Sequence, residues 1–236
     1  MKILGIDGSG LVASVAIVED DNLIGEYTTG YKKTHSQTLL PMLDELKKMV
    51  ELDLYTVDAI AVAAGPGSFT GLRIASATAK GLGLALGCPI VSVPTVDALA
   101  FNMWGASGVI CPILDARRGQ VYTGIYEFLE DGQFNVIKEQ CALDFHDIAK
   151  EINTIGRPVT FLGDGVPVFK ELVASEITVP YRFAPAHLNR QHASSVAALG
   201  CIYYENGDIE TAADHRPEYL RLSQAERERM EKEGKA

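Results

Sequence analysis

An apolar strand that ends in an aspartate occurs twice in this chain, over Lys2–Asp7 and Val109–Asp115, the second aspartate standing 108 positions after the first. The segments after the two strands are alike in kind. After Asp7 come a small-residue turn, Gly8-Ser9-Gly10, a strand over 11–19, the acidic turn Asp20-Asp21-Asn22 and a strand over 23–29. After Asp115 come the turn Arg117-Arg118-Gly119, a strand over Gln120–Phe128, the acidic turn Glu130-Asp131-Gly132 and a strand over 134–143. Each half then continues helix, strand, helix. This repeat of element order predicts an α/β chain of two similar lobes, 1–104 and 105–222, with a cleft between them. A cleft between lobes is the default place for a ligand.

The remaining elements are read from local signals. Thr34 and Gln37 have capping-box spacing, and Leu39, Leu43, Leu46 and Val50 then recur at helical intervals. Pro41 inside that pattern should kink the helix or shift its start. A strand over 57–64 leads to a helix over 71–86 with Gly87 as its C-terminal stop, a strand over 89–93 and a short helix over 95–104. In the second half Asp144 caps a helix through Asn153, and a strand over 158–162 runs into Gly163-Asp164-Gly165 and a helix over 166–174. An amphipathic helix over 191–205 ends at Gly207. The charged stretch 223–236 is expected to fray in solvent.

Lys and Arg total 21 against 31 Asp and Glu, a net charge of −10, which disfavours independent binding of nucleic acid. Cys88, Cys111, Cys141 and Cys201 form no CxxC pair and read as reduced thiols of a reducing compartment. The apolar run before Asp7 is too short for a signal peptide, and 74–91 is broken by Lys80 and several glycines. A soluble, cytoplasmic protein is expected.

Several motifs could carry chemistry. The turn after Asp7 could present N–H groups to a phosphate, or could be an ordinary hairpin whose carboxylate binds its own turn. Asp115, facing Asp7 across the cleft, is the oxygen donor that a metal–nucleotide site needs, but Arg117 and Arg118 beside it would equally make a structural ion pair. Gly163-Asp164-Gly165 could admit a ribose or be a tight strand-to-helix turn. The densest stretch is Gly65-Pro66-Gly67-Ser68-Phe69-Thr70-Gly71-Leu72-Arg73, opening a helix. A helix N-terminus suits anions, but neither a Walker A nor a GxGxxG pattern is present. His35 is followed four residues later by Leu39, and His187 and His192 are five apart, so no histidine metal pair forms. No GxSxG elbow supports a serine nucleophile. On the second helix Gly71, Ala75, Ala79 and Gly83 recur every four residues. They suit close packing inside the lobe or against a partner, as does the Leu39–Val50 stripe.

The stretch GPGSFTGLRIA over 65–75 resembles the signature of the bacterial TsaB family, a glycoprotease-like family related to TsaD. Ile6-Asp7-Gly8-Ser9, Thr34-His35-Ser36-Gln37, Asp115-Ala116-Arg117-Arg118-Gly119-Gln120, Gly163-Asp164-Gly165 and Pro217-Glu218-Tyr219-Leu220-Arg221 resemble further family segments, so that the likeness covers about residues 1–221. The resemblance implies an actin/sugar kinase/Hsp70-like (ASKHA) fold of two βββαβα lobes. It implies a non-catalytic subunit that pairs with catalytic TsaD, works with the ATPase TsaE and forms homodimers when alone. The complex transfers a threonylcarbamoyl group to N6 of adenosine 37 in ANN-decoding tRNAs, and tRNA is met only through the complex. No cofactor is implied for this subunit. Weak ATP or ADP binding stays open, and ATP and a metal ion serve the partner complex. The resemblance also turns the helix stripes into expected partner contacts: His35, Leu39, Leu43, Leu46, Arg73, Ala75, Ala79 and Gly83. Asp7, Ser9, Asp115, Gly163, Asp164 and Gly165 become a degenerate nucleotide cleft. TsaD-like proteins use an HxxxH pair on the first helix, which Leu39 removes here. The family often has Asp-Thr-Ser-Thr where Asp7-Gly8-Ser9-Gly10 stands, and Glu where Gln37 and Gln120 stand. The competing expectation is an ATPase or kinase of the same fold acting through Asp7 and Asp115; protease activity has no motif behind it.

Overall fold

The computed structural model describes residues 1–31 and 34–221. The expected frayed tail lies outside the described residues. The first sheet contains β1 (Lys2–Asp7), β2 (Ala13–Glu19), β3 (Asn22–Thr29), β4 (Ala59–Gly65) and β5 (Ile90–Pro94), in the order β3-β2-β1-β4-β5. The second contains β6 (Val109–Asp115), β7 (Gln120–Phe128), β8 (Phe134–Asp144), β9 (Val159–Leu162) and β10 (Tyr181–Phe183), in the order β8-β7-β6-β9-β10. The two orders are the same when β6 is laid on β1. In both sheets the first strand pairs antiparallel with the second and parallel with the fourth. The repeat read from the sequence is therefore a repeat of topology.

Helices α1 (His35–Met49) and α2 (Phe69–Leu86) cover one face of the first sheet. Leu39, Leu43, Leu46, Ala75 and Ala79 pack there with Leu4, Ile6, Val15, Ile17, Ile60 and Val62. On the second sheet α4 (Phe145–Ile155) and α5 (Val166–Glu176) do the same with Phe145, Ile148, Ile152, Phe169 and Val173. Helix α3 (Thr95–Phe101) sits between the lobes, where Val96, Leu99 and Ala100 join Ile110, Leu114, Tyr126 and Leu162 in one core. Inside that contact the Tyr126 hydroxyl donates to Asp97 Oδ1 at 2.7 Å, and burial pushes the Asp97 carboxyl up.

Three local readings need correction. Thr34 does cap α1, but its hydroxyl sits 3.1 Å from Ser36 Oγ and makes no capping bond, so the capping box does not form. The helix begins at His35 and runs through Pro41. Helix α2 starts at Phe69, because the Ser68 side chain accepts from Gly71 N at 3.3 Å and ends the loop there.

Helix α6 (Ala193–Glu205) departs from a boundary after residue 104. It belongs by sequence to the second half, yet Val196, Ala197 and Leu199 pack on Ile3, Ala61, Val91 and Val93 of the first sheet. Glycines make the approach close: a Cβ at Gly5 would overlap the Ala193 carbonyl oxygen. The helix start is held by Glu26 of β3, whose Oε1 accepts from Ser194 N at 3.1 Å and from the Ser194 hydroxyl at 3.0 Å. His192 Nδ1 lies 3.2 Å from Glu26 Oε2. Burial pushes the Glu26 carboxyl up, but the His192 and Ser194 contacts outweigh it and hold the group down at about 2. Its contribution to stability is thus present above the usual value of 4.5 and lost as pH falls towards about 2. Glu26→Ala is expected to cost about 2–3 kcal/mol at pH 7 in urea unfolding, since it strands several buried donors. The difference should shrink steadily below pH 4.

Candidate functional site

One cleft of about 580 Å³ is lined by Ser9, Gly67, Ser68, Phe69, Asp115 and Asp164 among others; Asp115 faces it directly, whereas Asp7 is absent from its lining and is joined to it only through Ser9. Each aspartate is engaged locally. Asp7 is 1% exposed, and its Oδ1 accepts from Ser9 N at 2.8 Å and from the Ser9 hydroxyl at 2.7 Å. Its Oδ2 is buried with no hydrogen-bond partner among the described residues. Burial pushes this carboxyl up to about 6, against the two Ser9 bonds.

The stretch 65–71 lies directly on this hairpin. Ser68 N donates to the Ser9 carbonyl at 2.6 Å. A Cβ at Gly67 would overlap that same oxygen, and one at Gly71 would overlap the Gly8 oxygen. Two of the signature glycines therefore let backbone stack on backbone. His35 completes the packing, with Nε2 2.9 Å from the Gly10 carbonyl oxygen. A turn that receives phosphate must present free N–H groups. Here the Ser9 N–H is taken by Asp7, and Ser9 itself is buried beneath the 65–71 loop.

On the opposite wall Asp115 Oδ1 accepts from Arg117 N at 2.8 Å, and Oδ2 pairs with Arg117 Nη1 at 3.2 Å. Asp164 Oδ1 accepts from Asp115 N at 3.1 Å, and burial pushes the Asp164 carboxyl up. Gly163 and Gly165 do not open towards a ligand. A Cβ on either would run into the Ile113 carbonyl oxygen, which accepts from Gly165 N at 2.9 Å. The self-bonded hairpin, the Asp115–Arg117 ion pair and the tight strand-to-helix turn are all present.

The partner-contact residues also need correction. Leu39, Leu43, Leu46, Ala75 and Ala79 are buried in their own lobe, and Gly83 makes room for Ala212. The reason is general: on a helix lying against a sheet, the apolar stripe turns to the sheet. His35 is half-buried and held to Gly10, which leaves Arg73 as the exposed member of the set.

Two parts of the cleft escaped the sequence reading. Gln191 is 2% exposed and lines it, with Nε2 unpartnered among the described residues. Glu218, Tyr219, Leu220 and Arg221 also line it, although they lie some 150 residues beyond the loop they touch. Ring contacts across such a separation leave no periodicity to read.

Comparison with known proteins decides the family. The family model described as TsaD, tRNA N6-adenosine threonylcarbamoyltransferase, matches residues 22–229. The tRNA threonylcarbamoyladenosine biosynthesis protein TsaB of Bacillus subtilis is 35% identical over 96% of both chains. The chain belongs to the TsaB family. The Escherichia coli TsaB is 26% identical over 94% of this chain and 95% of its own. A solved Pseudomonas aeruginosa protein, described as similar to the peptidase YeaZ, superposes with a TM-score of 0.80 at 28% identity, covering 93% of this chain and 99% of that one. The two five-stranded sheets with their helices make the two-lobe α/β architecture expected from the repeat. In this TsaB-family chain no described helix is long and apolar enough to cross a membrane.

The buried aspartate makes one prediction with a definite sign. Because the folded-state value of Asp7 lies above 3.8, its neutral form is favoured on folding. Stability is therefore lost as pH rises through about 6. Asp7→Asn keeps an oxygen for both Ser9 donors and removes the charge. It is expected to be more stable than wild type by about 2 kcal/mol at pH 7.5 and equal to it near pH 3.5. Thermal unfolding at the two pH values checks this; a variant less stable at pH 7.5 would show that the ionised carboxylate is needed.

Proposed function

We propose that the chain is a non-catalytic subunit in the biosynthesis of tRNA threonylcarbamoyladenosine, and that it acts by pairing with a catalytic TsaD subunit. The observation that carries this reading is the closed hairpin: Asp7 and Ser9 bond to each other and are covered by the 65–71 loop. A site so arranged offers little to a phosphate. One further feature supports it. The position where the metal-binding relatives' second histidine would fall is Leu39, which fills the first-lobe core.

The partner surface in this reading is the outer side of α1 and α2, turned away from the sheet. Leu40 on α1 and Leu84 on α2 are exposed beside it, while Met49, also exposed, lies on the opposite flank of α1. Beside the helix starts, Leu11 and Tyr31 are also exposed and, with Ile74, border a shallow hollow of about 310 Å³. The first-lobe core uses none of these exposed side chains, and the hollow bordered by Leu11, Tyr31 and Ile74 is the apolar recess nearest the helix starts. In the absence of TsaD the same face would pair two copies of the chain. The ATPase TsaE, ATP, the metal ion and tRNA are met through the complex.

Size-exclusion chromatography with light scattering tests the reading. Mixed with TsaD of the same organism, the chain is expected to elute as a mixed complex, and Asp7→Asn to do so equally. Two separate peaks at micromolar concentrations would count against it. ATP turnover by the pure chain that disappears in Asp115→Ala would favour the ATPase reading instead.

A further inference from the structure

We propose that residues 216–221 act as an intramolecular clamp, which ties the two lobes together across the mouth of the cleft and sets how far it opens. The clamp belongs to the chain alone and stands whether or not the partner reading does.

Its root is fixed to the first lobe. The buried His215 places Nδ1 2.8 Å from Glu210 Oε1 and 2.9 Å from Ser92 Oγ. Both oxygens share that one nitrogen, so this Ser-His-Glu set lacks the two-sided relay of a catalytic triad. Lys80 Nζ donates to the carbonyls of Ala213 at 2.9 Å and His215 at 2.8 Å.

From that root the chain docks on the signature stretch. Glu218 N donates to the Ala64 carbonyl at 2.7 Å. The Glu218 carbonyl oxygen lies against Gly65, where φ is 126° and any Cβ would overlap it. The Tyr219 ring stands 5.0 Å from that of Phe69, and its hydroxyl accepts from Arg73 Nε at 3.1 Å. The Arg73 guanidinium itself lies 3.9 Å over the Phe69 ring. Gly65, Phe69 and Arg73 thus form one receptor for the segment Glu218–Tyr219. Two motifs that stand far apart in sequence are the two halves of one contact.

The other end holds the second lobe. Arg221 Nη1 donates to the Ala116 carbonyl in the β6–β7 turn at 2.7 Å, and Gln140 Nε2 of β8 donates to Glu218 Oε2 at 3.1 Å. At the rear, the α3 core with its Asp97–Tyr126 bond joins the lobes. A rear pivot alone leaves the front of the cleft free to gape. The strap adds front anchors on both lobes, and it is made of a few surface contacts that can open without unfolding either core.

Hydrogen exchange of the full chain, read by mass spectrometry, tests this with Arg221→Ala and with the double variant Phe69→Ala, Tyr219→Ala. In both, the cleft walls 8–12, 65–69 and 113–118 are expected to exchange about tenfold faster or more. The hinge segments 95–101, 109–112 and 159–162 should keep wild-type rates. Unchanged cleft walls in both variants would overturn the clamp. So would hinge segments that speed up by the same factor as the walls, because the strap would then add only general stability.

Discussion

Under the proposed pairing with TsaD, Leu40→Glu is expected to break that contact while leaving the chain's own fold intact. Leu40 is 55% exposed on α1, so a carboxylate there stays in water in the free chain. Surface changes of this kind move stability by about 0.5 kcal/mol or less. In the complex the same carboxylate would be buried without a partner. Loss of an apolar anchor together with burial of a charge costs about 2–5 kcal/mol, or 30-fold to several thousand-fold in Kd. Isothermal titration against TsaD measures the loss, and the melting temperature of the free variant supplies the control. Leu43→Glu, one turn on, separates the two faces of the helix. Leu43 packs in the first-lobe core, and a charge there should unfold the lobe. Full affinity in Leu40→Glu would move the partner surface elsewhere.

Gly71→Val should cause a large loss of stability. The Gly71 Cα faces the Gly8 carbonyl oxygen and the His35 ring, and an ideal Cβ would overlap the oxygen. Backbone cannot rotate away as a side chain can. The hairpin would have to lift from the α2 start, taking the Ser68–Ser9 bond with it. A cost of about 3 kcal/mol or more is expected, which in a chain of this size lowers Tm by roughly 6–12 °C. Gly81 is the control on the same helix. Nothing stands within 4 Å of a Cβ built there, and Gly81→Ala should add about 0.5–1 kcal/mol through helix propensity. Thermal unfolding of both variants measures the contrast. If the two behave alike, the glycines of the signature are not explained by hairpin packing.

The contrast between these helix faces also explains what could be read from the chain beforehand. Strand order was legible because β1 and β6 are apolar runs stopped by a carboxylate, and the turns after them have their own chemistry. The two sheets repeat each other because the two halves carry the same signals. The helix stripes were legible as stripes, but not as to what they face. Leu39 and Ala75 have the spacing of an interface and the burial of a core, and spacing alone does not distinguish the two. Asp115 was placed at the cleft, and the bonds of Asp7 to its turn and of Asp115 to Arg117 stood among the open readings, but which reading the chain takes depends on side-chain rotamers that sequence does not encode. The return of α6 to the first sheet was missed because its apolar pattern fits either lobe. What lets it sit there is close approach at two glycines, Gly5 of β1 against Ala193 and Ala197 of α6 and Gly200 of α6 against Ala61 of β4. Gln191 and Tyr219 were missed for the same reason, since each acts through a contact made across the fold.

In the proposed role the chain is required for a reaction that its partner performs. The direct measurement is threonylcarbamoylation of an ANN-decoding tRNA by purified TsaD and TsaE supplied with the threonylcarbamoyl donor, with and without the chain, scored by mass spectrometry of adenosine 37. Modification is expected to depend on the chain, to survive Asp7→Asn, and to fail with Leu40→Glu. Modification that proceeds equally without the chain would contradict the account, and so would modification that Asp7→Asn abolishes while the TsaD complex still forms.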